Sequence, residues 1–376
     1  MAQNHDKNST SEQPVRTIIF TGGGTGGHVY PNLALIPTMK ERGFSPVYVG
    51  QEGNSVERRL ARDARIPFFG IATIKLVRSL SLDALKNNLK IPSELSKSVK
   101  AASEIIAKVK PACVFSKGGF VSLPVVLAAK RADVPIFAHE SDLTLGLANK
   151  IAKRKGAHIL YANPHSKFGG TFVGMPLRDN LVYPDKASTA KKLGINNPFK
   201  KPVLLVLGGS SGASAINEAV KSNIKILTAK YFVLHVTGKN KSEKIKAYNY
   251  LQFEYADNIA LFYTACDVVV SRAGATSVFE ISQIGKRALF VPLPKGVSRG
   301  DQIYNADLAK EYGANVIKQD SAFFDNLPAA IETTLQNPPM KSISSDANGK
   351  IADIICDTLR RGEKCINKKP SPNGSQ

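Results

Sequence analysis

The chain has 376 residues, 43% hydrophobic and 22% charged, an ordinary balance for a globular protein of two to three domains. Its 51 Lys and Arg against 30 Asp and Glu leave a net charge of +21, which calls for an anionic partner: a nucleotide, a nucleic acid or an acidic membrane surface. No apolar run nears the roughly 20 residues that span a bilayer, the polar start has no signal-peptide core, and the four cysteines lack CxxC spacing, so buried thiols of a cytosolic protein are expected.

Residues 1–14 read as a disordered tail. The apolar run Thr17-Ile18-Ile19-Phe20 is a buried strand. It leads into TGGGTGGHVYP (21–31), and the residues from Pro31 on begin a helical pattern. Five glycines between a strand and a helix let the backbone approach a ligand, and the helix N-terminus offers N–H groups to a phosphate or pyrophosphate. Gly22, Gly24 and Gly27 satisfy the dinucleotide pattern G-x-G-x-x-G, with Glu52 after the next strand (Val47–Val49). A Walker A loop is excluded, because His28 follows Gly27 in place of a Lys-Ser/Thr pair. A titratable group there suits a transferase that must deprotonate a hydroxyl, so His28 is a candidate general base. The plainer reading is a helix-start histidine that bonds only to backbone.

Further along, 55–64 is a charged helix. Residues 74–91 alternate Leu82, Leu85 and Leu89 with Lys75, Arg78, Lys86 and Lys90, the pattern of an interfacial segment on anionic lipid or of a core-packing helix. Residues 91–110 form an amphipathic helix on Ile91, Leu95, Val99, Ala102, Ile106 and Val109, with Ser93 as a cap. The strand Ala112–Phe115 precedes a second glycine turn at Gly118-Gly119, and the strand Val134–Ala138 precedes His139-Glu140-Ser141-Asp142. The stretch 176–200, rich in Pro, Asp and Lys, reads as a linker. A new cycle opens with Val203–Leu207 and the loop Gly208-Gly209-Ser210-Ser211-Gly212-Ala213, and strands are expected at 232–236, 259–262, 267–270 and 288–291. This alternation predicts two Rossmann-like, doubly wound α/β domains facing each other across a cleft. No helix-turn-helix, RNP or zinc-finger pattern supports nucleic acid. No D-x-D pair is present to hold a metal on a nucleotide sugar, so neither metal nor cofactor is expected.

GGGTGGHVYP (22–31), KGGFVSLP (117–124), HESD (139–142), LGGSSGA (207–213), SRAGATSVFE (271–280) and SRGDQIYNA (298–306) occur in one order. In that order they resemble the bacterial peptidoglycan glycosyltransferases of the MurG family, over about 16–360. The resemblance implies a GT-B fold with residues 15–177 as a lipid I domain and 178–349 as a UDP-GlcNAc domain. Residues 350–364 would cross back to the first domain, before a tail at 365–376. It implies inverting transfer of GlcNAc from UDP-GlcNAc to the MurNAc 4-hydroxyl of lipid I, by a peripheral protein on the cytoplasmic side of the cell membrane. Thr25, Gly26 and Gly27 match ligand-contacting positions. Asp142 stands where many members carry Asn. It suits a sugar hydroxyl or an alternative base, against a plainer helix cap before Leu143. Arg178 and Ser210 match positions on the diphosphate. Ala275, Thr276 and Ser277 lie along the nucleoside, with Glu280 on the ribose hydroxyls, unless Glu280 is a solvent-facing helix residue. Gln302 matches a glutamine on the GlcNAc, with Asp301 replacing the first of a family QQ pair. The competing enzyme reading is a GT-B transferase with another lipid or small-molecule acceptor. From another class comes an NAD-type oxidoreductase using Gly22–Gly27, which His28 and the second glycine-loop half oppose.

Overall fold

The structure, a computed structural model, describes residues 16–73, 91–195, 201–209, 212–295, 300–344 and 346–366. The expected N-terminal tail, residues 367–376 of the expected C-terminal tail, Ser210 and the expected interfacial stretch up to residue 90 lie outside these described residues. Residues 365 and 366 end the last helix rather than belonging to a tail.

Two all-parallel sheets form among the described residues. The first joins β1 (Arg16–Thr21), β2 (Phe44–Gln51), β3 (Phe68–Ile71), β4 (Cys113–Ser116), β5 (Ile136–Glu140), β6 (His158–Tyr161) and β7 (Thr171–Phe172), in the order β3-β2-β1-β4-β5-β6-β7. The second joins β8 (Val203–Leu207), β9 (Phe232–Val236), β10 (Tyr250–Phe253), β11 (Val268–Ser271), β12 (Arg287–Phe290) and β13 (Asn315–Val316), in the order β10-β9-β8-β11-β12-β13. Parallel strands need crossovers, which lay helices on both faces and bury both. Val203–Leu207 is accordingly buried throughout. Its side chains alternate between two cores, Val203, Leu205 and Leu207 in one, Leu204 and Val206 in the other. Ile18 and Phe20 are divided from Ile19 in the same way.

The crossovers of the first half are α1 (Gly26–Glu41), α2 (Val56–Asp63), α3 (Ile91–Val109), α4 (Ser122–Arg131) and α5 (Leu147–Arg154). After α6 (Lys186–Lys192), the second half uses α7 (Ser214–Ser222), α8 (Ile224–Lys230), α9 (Ile259–Ala265), α10 (Ala275–Gln283), α11 (Asp301–Glu311) and α12 (Phe323–Gln336). The last helix, α13 (Ala347–Ile366), returns to the first half. Ile351, Ala352, Ile355, Cys356 and Leu359 join the core of Ile18, Phe20, Val29 and Leu35.

Several expectations need correction. The first helix starts at Gly26, not Pro31, so Pro31 lies inside it and His28 in its first turn. The proline merely removes one N–H, which leaves the Gly27 carbonyl without its helical donor at the cleft. Ile259–Phe262 is helical because Tyr250–Phe253 takes the place beside β9; a short apolar run fits either period. The strand expected at 134–138 is displaced to Ile136–Glu140, which puts His139 and Glu140 in the sheet. The expected linker contains α6, capped by the Asp185 side chain accepting from Ala187 N and Ser188 N. Ser93 lies within α3 rather than before it.

Candidate active site

In a doubly wound sheet the strand order reverses beside the first strand, and the loops leaving the two diverging strands open a crevice at their carboxyl ends. Here the reversals fall between β1 and β4 and between β8 and β11, where Thr21 pairs in register with Ser116 and Leu207 with Ser271. The four loops that follow meet around one cavity of about 1560 Å³. Thr25, Gly26, Gly27, His28, Asp142, Arg178, Ala275, Thr276, Ser277, Glu280 and Gln302 all line it, although the sequence scatters them over 278 positions (25 to 302).

The first loop is fixed from below. The Tyr48 hydroxyl donates to Gly22 O at 2.6 Å, and Asn32 Nδ2 donates to both Thr21 O and Tyr48 Oη at 3.1 Å. Thr25 is the extended N-cap of α1, and its hydroxyl makes no capping bond; Oγ1 lies 3.0 Å from His28 Nδ1. The second glycine turn packs on the first. Gly119 has φ +82°, and a Cβ there would stand 2.9 Å from Gly23 O and 3.5 Å from His28 Nδ1. His28 therefore has a side-chain partner, which the backbone-only reading lacked.

Beside these turns lies a charged cluster that sequence reasoning only half saw. Glu140 takes four donors, Ser141 N and Asp142 N on Oε1 and Gly146 N and Asn149 Nδ2 on Oε2, and so ties down the loop that carries Asp142. Asp142 caps no helix, since α5 starts at Leu147 behind Gly146. Its Oδ1 instead accepts from Asn305 Nδ2 across the cleft at 3.2 Å. Burial, then Glu140 and Asp301, push its carboxyl up to about 6. Lys117, 3% exposed, donates to Ser141 Oγ, and burial pulls its ammonium down to about 8 against Glu140 and Asp142. His139 is buried and donates from Nε2 to Gly174 O at 2.9 Å; burial holds it well below its ordinary value.

On the facing wall Glu280 is 8% exposed, so it is not a solvent-facing helix residue. Tyr263 donates to its Oε2 at 3.0 Å, and Arg178 Nη2 lies 3.6 Å from Oε1. Burial raises its carboxyl while Arg178 and Tyr263 oppose the rise. Arg178 also stacks on Tyr30, 5.2 Å from the ring centre, and Tyr30 shares a 2.5 Å hydroxyl contact with Tyr255 across the cleft. Gln302 Oε1 accepts from Leu293 N at 3.1 Å, so the acceptor end of this amide is already engaged. Arg272, missed from sequence, is buried in the same wall with Nη1 donating to Val291 O at 3.0 Å. Its sequence signal was present: a cation placed directly after Ser271, the last residue of β11, where switch-point ligands sit. Lys117 occupies the matching position after β4.

Two Rossmann-type halves whose glycine loops oppose each other over one cavity are the architecture of a GT-B glycosyltransferase. The family models agree: the N-terminal domain of glycosyltransferase family 28 matches residues 18–160 and its C-terminal domain residues 203–357. The chain belongs to glycosyltransferase family 28. Among its relatives is the "UDP-N-acetylglucosamine--N-acetylmuramyl-(pentapeptide) pyrophosphoryl-undecaprenol N-acetylglucosamine transferase" of Lachnospira eligens. That protein is 37% identical over 361 residues, covering 92% of this chain and all of the relative. The protein of the same name in Geobacillus kaustophilus is 38% identical over 360 residues, covering 92% and 99%. The crystal structure of Acinetobacter baumannii MurG is similar in fold, with TM-score 0.66, 23% identity and coverage of 91% and 99%. So is the spinosyn forosaminyltransferase SpnP, with TM-score 0.62, 13% identity and coverage of 95% and 100%.

Proposed function

We propose that this protein transfers GlcNAc from UDP-GlcNAc to the MurNAc 4-hydroxyl of lipid I, with inversion, and so forms lipid II for peptidoglycan. The observation that carries the reading is the shared cavity, which brings a titratable helix-start histidine and a cross-cleft carboxylate against a nucleotide-type switch point. The two relatives described above, alike over nearly their whole length, carry names that state this donor and acceptor.

In this reading lipid I lies against the glycine turns of the first half, whose backbone N–H groups and α1 N-terminus meet its diphosphate. His28 donates from Nδ1 to Thr25 Oγ1, and its Nε2 lone pair takes the proton of the attacking hydroxyl. UDP-GlcNAc occupies the second half, with the nucleoside along Ala275, Thr276 and Ser277 and the sugar at Gln302. Arg178 Nη2 lies 3.6 Å from Glu280 Oε1. Donor binding exchanges these partners, Arg178 turning to the diphosphate and Glu280 to the ribose hydroxyls. The α7 N-terminus and the loop carrying Ser210 meet the charge that develops on departing UDP. The protein works as a peripheral enzyme on the cytoplasmic face of an anionic membrane. Its surplus of cations suits that surface, and among the described residues no helix is long and apolar enough to cross a bilayer.

The test is UDP release from UDP-GlcNAc in EDTA, with and without a short-chain lipid I analogue, for the wild type and His28→Ala. Turnover that depends on the analogue, with kcat falling far more than KM rises in the variant, is the expected result. Donor binding without turnover would send the search to other acceptors. Absence of donor binding would sink the donor reading, and an unchanged kcat would remove His28 as the base.

A further inference from the structure

We propose that His235 is a positioning residue for the donor, acting through Asn217 to hold Gly212 and the start of α7 in the register that receives the UDP diphosphate. The inference rests on the donor reading above and deepens it.

The geometry fixes the direction of every hydrogen bond in the chain. Asn217, in the second turn of α7, has its Nδ2 3.0 Å from Thr237 O, and only the amide NH2 can donate to a carbonyl. Its Oδ1 therefore faces His235 Nε2 at 3.0 Å and must accept, which places the imidazole proton on Nε2. His235 Nδ1 is then the acceptor for the Tyr250 hydroxyl at 2.9 Å. Tyr250, His235, Asn217 and Thr237 thus link β10, β9 and α7 in one polar chain beneath the cleft. His235 is 2% exposed, and burial lowers it to about 4, so the neutral tautomer persists at working pH.

The chain ends where the glycine loop presses on the sheet. Gly212 has φ +69°, and a Cβ there would collide with Thr237 O, the carbonyl that Asn217 holds. Gly208, Gly209, Gly212 and Ser214 line the cavity directly above. The other half uses the same device on its own glycine loop: Asn32 of α1 donates to Thr21 O, and Tyr48 holds Gly22 O. In the donor half the link between tyrosine and asparagine is an imidazole. A slack link lets the N–H groups of the α7 start drift from the phosphate oxygens, and positioned donors lose much of their value when misplaced.

The test compares His235→Asn and His235→Gln in the full chain. It reads UDP affinity by titration calorimetry and steady-state constants with UDP-GlcNAc and a short-chain lipid I analogue. The glutamine amide reaches the Nε2 position and can still donate to Asn217; the asparagine amide cannot. Loss of about one hydrogen bond corresponds to roughly a fivefold change. His235→Asn is expected to weaken UDP by about five- to tenfold and to raise the donor KM alike, with the acceptor KM within about twofold. His235→Gln is expected to recover most of that loss. Tyr250→Phe, which keeps the imidazole, is the second variant if His235→Asn fails to fold, and is expected to weaken UDP about threefold. Equal behaviour of Asn and Gln, donor and acceptor constants that move together, or UDP affinity unchanged in all three would overturn the proposal. A wild type that binds no UDP fails the donor reading itself, before any variant is compared.

Discussion

Asp142 is a residue at which composition and environment disagree. Its carboxyl reaches about 6 in the fold against an ordinary 3.8, so the native state holds that proton more tightly than the unfolded chain does. Stability from this group is therefore present below about pH 4 and lost as pH rises to about 6. Above that the buried charge is a standing cost of about 3 kcal/mol. Asp142→Asn keeps an oxygen to accept from Asn305 and removes the charge. It is expected to raise the melting temperature by about 3–6 °C at pH 7.5 and to change it little at pH 4. An equal shift at both pH values, read by scanning calorimetry, would show that the charge is not the cause. The sequence flagged Asp142 as a departure from its family, but it had no means of weighing the charge. The cost arises from burial and from Glu140 and Asp301, which come from β5 and α11, while Asn305, and Lys117 of the turn after β4, oppose it.

At the scale of elements, the last helix shows how far chain order can mislead. Its apolar stripe is legible, yet the sheet it serves is not. Ile355 is fully buried in a core built from β1, α1 and β2, more than 300 residues earlier in the chain. Asn348 Nδ2 fixes the crossing by donating to Ala34 O at 3.3 Å and Leu177 O at 2.8 Å. The Arg42–Asp353 ion pair nearby is solvent-exposed and adds little. Ile355→Ala is expected to cost about 2–4 kcal/mol through transfer and cavity terms. Hydrogen exchange should accelerate in β1 and β2 while β8 and β9 stay protected. The reverse distribution would place the helix in the second half's folding unit.

Across the whole molecule, polar contacts between the two halves among the described residues include Tyr30 with Tyr255, Asp142 with Asn305, Arg178 with Glu280, and exposed His165 with Glu311 at 2.7 Å. The Tyr30 hydroxyl is buried enough that burial, then its Tyr255 partner, raises its titration. Arg178 and Arg59 lie over the Tyr30 and Tyr255 rings at 5.2 and 5.8 Å. Tyr255→Phe removes one such bond, worth about 1 kcal/mol, and so is expected to shift the balance of closed and open cleft about fivefold toward open. Small-angle scattering of the unliganded variant should show a larger radius of gyration, and saturating UDP should reduce the difference. An unchanged radius would mean that the hydroxyl pair does not hold the halves together.

The strands that flank both switch points, the glycine turns and the doubly wound class are legible in the sequence alone, because these rest on local rules: period, φ freedom and the punctuation of apolar runs. β3, β6, β7, β10 and β13 were not read there. Every candidate site residue among the described residues lines the cavity, since switch-point loops must follow particular strands. Sequence alone misreads Ile259–Phe262 because four apolar residues carry no period of their own. Lys117, Arg272 and the link from His235 to Asn217 went unread, because a residue type alone does not say what faces it. Those pairings, the crossing of the last helix and the buried state of Glu280 come from the packing of elements distant in the chain. Burial, partner and dielectric belong to the space between elements, which forms when the two sheets come to face each other.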